Sequence, residues 1–390
     1  MAKWLNAEAA SVRTGLPPAL LKKIQRHGLL VQENSDGLLL ESDLKAISTS
    51  RRANSTKKPR VASFFAGCGG LDLGLKQAGF QISYSNDFDL DAATTYRRNF
   101  GHIDVRSIRE VQPDDIGEFD LLTGGFPCQP FSNAGSRKGT SDPRGTLFWE
   151  ALRFVNHHRP KVVLFENVRG ILSILNPDGS KLIDGIHREL IDRGYRVSSA
   201  LLNASIYGVP QNRQRVIIIG LREDLFQEKF DFELIKKEPG ATIREALQNV
   251  ETVTSNNIHW ELSPQAKQMA LHIPEGGSWK SVPYELLPER LKRIQDNIVR
   301  YRSPNFYRRF SMDEIMGTVT AAATPENSGI LHPTENRRYT VREIARFQTF
   351  PDDFVFEGKT IASMYRQIGN AVPPLLAKRL GYALRKHYLS

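Results

Sequence analysis

Residues 61–75 read VASFFAGCGGLDLGL. VASFF (61–65) is an uncharged, apolar run of the kind a strand buried on both faces carries. Three glycines follow within four positions, Gly67, Gly69 and Gly70, and a helical pattern begins at Leu71. Strand, glycine turn and helix in that order form a unit that lets a ligand approach the backbone and aims helix N–H groups at it. The spacing is neither G-x-G-x-x-G nor the phosphate loop G-x-x-x-x-G-K-[ST], so a pyrophosphate or triphosphate site is disfavoured.

Working outward, the same texture repeats. QISYS (81–85), DLLTG (120–124), VVLF (162–165), RVSSALL (196–202) and RVIIIG (215–220) read as further buried strands. DLDAATTYRRNF (89–100) and LFWEALRFVNHH (147–158) between them fit crossover helices. The alternation predicts an α/β protein with a doubly wound sheet. In such a sheet the loops at the carboxyl ends of the strands converge on one crevice. Asp87 stands twenty residues beyond Gly67, where an acid holds a ribose diol, and Phe88 beside it is suited to stack on a purine. Taken alone, this is equally an ordinary glycine turn followed by a helix-capping Asp.

Further loops of the same kind bring other groups. GGFPCQPFS (124–132) follows one strand, FENVRG (165–170) ends another, and QNRQR (211–215) leads into a third. The chain has only two cysteines, and Cys128 stands between Pro127 and Gln129 on a loop rich in Gly and Pro. A lone cysteine is ordinarily a small buried hydrophobe, and that reading fits Cys68 in the glycine turn. Glu166 by itself is a solvated acid, and Arg213 with Arg215 an exposed basic pair. A thiol, a carboxylate and two arginines facing one crevice is a catalytic set.

The whole chain sets bounds on this. Its 390 residues allow a large core and additional modules. Two cysteines make no disulfide framework, and no Cys/His cluster has zinc spacing. The start, MAKWLNAEAASVRTG, lacks the apolar core of a signal peptide, and no run of about 18 apolar residues is present. A net charge of +10 favours a polyanionic partner without naming it. Residues 1–50 are helical in pattern, with Pro17–Pro18 opening a second short helix on which Leu20, Leu21 and Ile24 share a face. The pattern fits a helix-turn-helix or winged module, or else a helical packing appendage. SRRANSTKKPR (50–60), with five Lys/Arg and no acid, reads as an exposed linker. From 226 to 325 the α/β rhythm is lost, and RYRSPNFYRRF (300–310) offers Arg300, Arg302, Arg308 and Arg309 to guanine edges or phosphates.

Together the ordered motifs over about 61–220 and 318–388 resemble the bacterial DNA cytosine-5 methyltransferase family. The resemblance implies an S-adenosylmethionine-dependent methyltransferase sheet with a smaller target-recognition domain. It implies a catalytic domain over 61–225, target recognition over 226–325 and a return to the catalytic domain over 326–390. The 1–50 helix-turn-helix-like module and the 51–60 linker have no counterpart in the minimal family pattern. Phe64, Ala66, Gly67, Gly69, Gly70 and Leu71 fall in the motif similar to the one that binds S-adenosylmethionine. Asp87 resembles the acid on its ribose, Phe88 the aromatic against its adenine and Asp104 the acid at the adenine amino group. QIGNAVPP (367–374) is similar to the closing motif, with Asn370 on the cofactor side. RRYTVREIARFQTFPDDF (337–354) is similar to the stretch that follows target recognition. Cys128 matches the nucleophile, Glu166 the catalytic glutamate, and Arg213 and Arg215 the arginine motif.

The implied function is methyl transfer to carbon 5 of a flipped-out cytosine in a short duplex DNA sequence. It implies a cytoplasmic, nucleoid-associated restriction-modification enzyme, monomeric in catalysis, using S-adenosylmethionine and no metal, with a restriction endonuclease as cognate partner and no membrane. The rival readings are an RNA cytosine-5 methyltransferase and a DNA-binding regulator with an inactive methyltransferase domain.

Overall fold

Six of the apolar runs form one sheet in the computed structural model, which describes residues 4–5, 39–40, 58–126, 147–297, 306–322 and 329–389. The chain divides into two compact units, Met1–Lys58 and Pro59–Ser390. In the first, strands β1 (Trp4–Leu5) and β2 (Leu39–Leu40) pair antiparallel. The helix-turn-helix expectation otherwise falls on residues outside those described, as does the basic linker up to residue 57. Arg60, at its expected end, already begins the first strand of the second unit.

In the second unit the strands are β3 (Arg60–Phe64), β4 (Gln81–Asn86), β5 (Leu121–Gly124), β6 (Val162–Val168), β7 (Tyr195–Asn203) and β8 (Gln214–Arg222). Their spatial order is β4-β3-β5-β6-β8-β7. The first four run parallel, and β8 is antiparallel to both neighbours. This mixed sheet departs from a purely parallel one. Because β8 runs backwards, its amino end lies at the carboxyl edge of β6, and QNRQR arrives where the other loops do.

Alternation along each strand builds two layers of core. Val61, Leu121, Val162, Leu164, Ile217 and Ile219 pack on one face with Leu75 of α1 (Gly70–Gln77) and with Leu376 and Leu380 near the carboxyl terminus. Ala62, Phe64, Leu122, Val163, Phe165 and Ile218 pack on the other. That face is covered by Phe148 and Leu152 of α3 (Leu147–His158) and by Ile186 and Leu190 of α4 (Leu182–Ile191). Between α1 and α3, α2 (Leu90–Phe100) follows β4, capped by Asp89, whose side chain accepts from the Asp91 and Ala92 amides. Helices on both faces of the sheet are the doubly wound arrangement.

Beyond β8, two smaller cores form. α5 (Ile243–Ala246) contributes Ile243 to a cluster holding Phe310, Met316, Val319, Phe347, Phe350 and Ile368. α6 (Pro264–Leu271) and α7 (Glu289–Asp296) build another with Trp279, Phe306 and Leu331. The described part of the segment between 226 and 325 is thus shared among these two cores and, through Phe230 and Ile235, the sheet core. α8 (Val341–Phe347) opens with a capping box of Thr340 and Glu343, and α9 (Ile361–Asn370) and α10 (Pro374–His387) follow.

α10 returns to lie on α1, and Gly74 of α1 and Gly381 of α10 permit the approach. A Cβ on Gly74 would fall 2.3 Å from the Pro374 carbonyl oxygen and 2.4 Å from the Ala377 Cβ. Gly74→Ala is therefore expected to destabilise the enzyme by about 1–3 kcal/mol, although alanine favours helix. Gly117→Ala, at an open site, should leave the urea midpoint unchanged. Equal midpoints for both variants would show that the α1–α10 contact tolerates a methyl group.

Candidate active site

A cavity of about 440 Å³ opens at the carboxyl edge of the sheet, beside β3, where the chain turns first to β4 and then back to β5. This is the switch point at which open α/β sheets hold ligands. The turn after β3 contributes Phe64, Ala66, Gly67, Gly70 and Leu71, and the end of β4 contributes Asp87, Phe88 and Asp89. Gly125, Phe126, Glu166, Asn167, Val168 and Arg215 form another part of the wall, and Arg366, Gln367 and Asn370 of α9 another.

At the glycine turn, the Asp87 carboxylate is held in place by two amides. Its Oδ2 accepts from Gly67 N at 2.7 Å and its Oδ1 from Asp89 N at 2.8 Å. Burial raises its pKa above the usual carboxylate range, against the opposing pull of those N–H groups. Phe88 is 67% exposed, a large apolar ring left at the cavity mouth. Gly67 has φ +58°, and nothing lies within 4 Å of where a Cβ would stand.

Two expected cofactor residues take other places. Gly69 caps α1 in the left-handed region at φ +93°, and a Cβ there would fall 2.4 Å from the Phe100 ring. It serves the packing of the turn and is absent from the cavity wall. Asp104 sits beside the end of β4 through its backbone, accepting from Asp87 N at 3.0 Å and donating to Ser85 O at 2.9 Å. Its carboxylate is engaged elsewhere, 2.7 Å from Arg106 Nη2 and accepting from Tyr84 OH at 3.0 Å. Burial pushes its pKa up, but the Arg106 guanidinium and amide outweigh that and hold it below the usual range.

On the other side, sheet register brings a carboxylate and a guanidinium together. Val168 pairs with Arg215 across β6 and β8, so Glu166, two residues back, projects from the same face as its diagonal neighbour. Arg215 Nε lies 2.8 Å from Glu166 Oε1, with both side chains 10% exposed. Burial lifts the Glu166 carboxyl above its ordinary value, with the Arg215 and Arg213 charges opposing. Gly125 passes close by, and a Cβ on it would fall 3.2 Å from Glu166 Oε2. Asn167 ties the next residue down, its Nδ2 donating to Phe126 O at 2.9 Å.

Arg213 is not part of this wall. It is fully buried, donating to the carbonyls of Val319 at 2.8 Å, Gly369 at 2.6 Å and Ala371 at 2.9 Å. It fastens the turn before β8 to the end of α9, and only Arg215 of the pair reaches the cavity. Cys128 lies outside the described residues, as do Arg300 and Arg302. Arg309, expected at DNA, is 3% exposed and donates to the Ala270, Ile273 and Glu335 carbonyls. Arg308 pairs with Glu314 at 2.7 Å and lies over the Phe310 ring. Cys68 is buried, its thiol pushed up to about 12 by burial, and its Sγ lies 3.6 Å from the Gln367 carbonyl oxygen. It is a structural thiol.

Residue-by-residue reading of the sequence passed over Asn167, Arg366 and Gln367. A signal existed for Gln367: it precedes Asn370 by three positions, one helical turn, and so shares its face.

Residues 59–386 match the profile of the family described as C-5 cytosine-specific DNA methylase. The Type II methyltransferase M.NgoFVII of Neisseria gonorrhoeae is 38% identical over 334 residues, covering 82% of this chain and 85% of that protein. The Type II methyltransferase M.Sau96I of Staphylococcus aureus is 35% identical over 365 residues, covering 92% and 82%. Among solved structures, S. pombe Dnmt2 methyltransferase shares the fold with a TM-score of 0.58 at 19% identity, over 85% of this chain and 100% of that one. The Entamoeba histolytica methyltransferase EhMeth does so at 0.57 and 18%, over 85% and 99%. A match that runs through all six strands of the sheet and on into α10, with relatives this similar along their length, places the chain in the C-5 cytosine-specific DNA methylase family, as a DNA cytosine-5 methyltransferase.

Proposed function

We propose that this enzyme methylates carbon 5 of a cytosine turned out of duplex DNA at one short sequence, using S-adenosylmethionine. The observation that carries the reading is the buried Glu166–Arg215 pair in the wall of a cavity that Asp87, Phe88 and the glycine turn also line. The cavity's volume suits a nucleoside-sized ligand. A hydrogen-bonding acid, an exposed ring and an uncapped helix start are a donor set that fits S-adenosylmethionine. Asp87 would hold its ribose, Phe88 its adenine, and Asn370 would face it from α9. The bound cofactor supplies an electrophilic methyl group on a sulfonium.

The chain's own residues prepare the base. Carbon 5 of cytosine is a poor nucleophile until a thiolate adds at carbon 6. Cys128, two residues beyond Phe126, supplies that thiolate, and the added electron pair is delocalised towards ring nitrogen 3 and carbon 5. Glu166, whose carboxyl burial lifts above its ordinary value, shares a proton with nitrogen 3 and stabilises the charge there. Arg215 orients Glu166 and faces the exocyclic oxygen. Carbon 5, now nucleophilic, would form its bond to the methyl group as the S–CH3 bonding pair returns to sulfur. Loss of the carbon 5 proton to water would then expel the thiolate and restore the ring, now methylated. Flipping the base costs a few kcal/mol, which contacts to the phosphates offset.

The naming of relatives as Type II methyltransferases supports a role as the modification half of a restriction-modification pair, with a nuclease of the same specificity as its partner. A charge of +10 suits duplex DNA as substrate. Among the described residues no helix is long and apolar enough to cross a membrane. We place the enzyme in the cytoplasm with the nucleoid, acting as a monomer.

Bisulfite sequencing of DNA from cells expressing the protein should show 5-methylcytosine in one short context, with matched RNA unmodified. Blank maps alongside folded protein that binds S-adenosylmethionine would refute the reading, and methylated RNA would transfer it to the RNA class.

A further inference from the structure

Two buried guanidiniums bracket one short stretch of chain. Arg309 is 3% exposed, and its five N–H groups meet five oxygens. The Ala270 and Ile273 carbonyls, at 2.9 and 2.7 Å, belong to the end of α6 and the turn beyond it. The His332 and Glu335 carbonyls and Asn336 Oδ1 belong to the turn that leads towards α8. At the far end of the stretch, Arg213 takes the Val319 carbonyl at 2.8 Å and ties it to the end of α9 through the Gly369 carbonyl. Among the described residues neither guanidinium hydrogen-bonds a carboxylate. A buried charge held in this way is costly, and an apolar side chain would often be as stable. What a rigid fork of donors adds is a fixed geometry.

What the two arginines hold lies beside the catalytic cavity. The Met316 carbonyl accepts from Asn212 N at 2.8 Å, and Thr318 Oγ1 donates to the Asn212 carbonyl at 2.6 Å, so the stretch runs along the turn before β8. Phe310, Gly317 and Thr318 line a cleft of about 640 Å³. Val168 and Arg215 line both this cleft and the catalytic cavity, so the two meet at the Glu166–Arg215 pair. Arg169 and Gln214 also line the cleft, and no described acid does. A polar, acid-free cleft beside the place where the cytosine is held suits the sugar–phosphate backbone to which that base stays attached.

We infer that Arg309 is a positioning residue for DNA: without touching the duplex, its guanidinium holds the 310–318 wall where the backbone beside the target cytosine must pass. The inference rests on the reading of duplex DNA as substrate. It adds to that reading a residue that shapes the DNA path from inside the protein.

The test is steady-state methyl transfer from labelled S-adenosylmethionine to an unmethylated polymerase copy of bacterial genomic DNA. The full chain is compared as wild type, Arg309→Met and Arg309→Lys. Arg309→Lys keeps the charge and can reach part of the same set of carbonyls, so it reports even where Arg309→Met does not fold. In each folded variant KM for DNA should rise by about ten- to a hundredfold, the scale of a misplacement of about 1 Å remote from the chemistry. kcat at saturating DNA and the affinity for S-adenosylhomocysteine should stay at wild-type values. The slope of log KM against log salt should also stay unchanged, because no phosphate contact is removed. A slope shallower by about 0.9 would make Arg309 a direct phosphate ligand and overturn the inference. A lowered melting temperature with KM unchanged, parallel losses of kcat and cofactor affinity, or failure of both variants to fold would reduce Arg309 to a structural residue and overturn it too. Wild type that transfers no methyl group to DNA would instead take down the substrate reading itself.

Discussion

Cys128→Ser should reduce methyl transfer to below about one thousandth of wild type, because a serine hydroxyl is far harder to ionise than a thiol at neutral pH. Cofactor and DNA binding should survive, since the hydroxyl is of similar size. Cys68 cannot replace the missing thiolate. Burial pushes its thiol up to about 12, leaving almost none ionised at neutral pH. Incorporation of labelled methyl groups measures the loss. DNA carrying 5-fluorocytosine should trap wild type as a covalent adduct, because fluorine blocks the elimination that frees the thiol, and should fail to trap the serine variant. Transfer by the variant near the wild-type rate would remove Cys128 from the mechanism.

Glu166→Gln is expected to slow the reaction by about 10²–10⁴-fold, the range for loss of a positioned acid. The amide matches the carboxyl in shape but has no acidic proton to pass to ring nitrogen 3. The pH dependence carries the sign. Burial lifts the Glu166 carboxyl above the ordinary range despite the two nearby arginines. The protonated, active form therefore persists to higher pH than in an exposed glutamate and is lost as pH rises through the raised value. Wild-type kcat should fall along that limb, and the residual rate of the glutamine variant should be flat across it. The same falling limb in both enzymes would assign it to another group.

Much of the sheet was legible because β3, β5, β6 and β8, buried on both faces, need apolar runs. The edge strands β4 and β7 are only partly buried, yet all six runs lie where the strands form. Strand direction was not. VVLF and RVIIIG have the same texture, yet β6 and β8 run in opposite senses, since side-chain alternation is identical read either way. At the site, Asp87, Phe88, Glu166 and Asn370 share one cavity because strand ends and one helix face converge there. Arg213 and Arg215 looked equivalent in QNRQR. They separate only because Arg213 stands just before β8 begins and finds three carbonyls of the later chain. Asp104 and Gly69 belong to the same turns as the lining residues, but Arg106, Tyr84 and Phe100 claim them through contacts that spacing does not encode. Arg309 was offered to DNA on charge alone, and the carbonyls that bury it come from segments about forty residues before it and twenty-five after.

The cavity is walled at one side by the turn after β3 and at another by residues 366–372, close to the end of the chain. Synthesis makes the first of these early and the second last. At about 5–20 residues per second, a ribosome takes roughly 20–80 s to finish 390 residues. For a little under half of that time a nascent chain would already carry Cys128, Glu166 and Arg215, yet have no closed pocket. Premature stop codons and frameshifts between Arg215 and Arg366 are therefore expected to yield fragments that hold every proposed reactive group, lack the late wall of the cavity, and modify nothing.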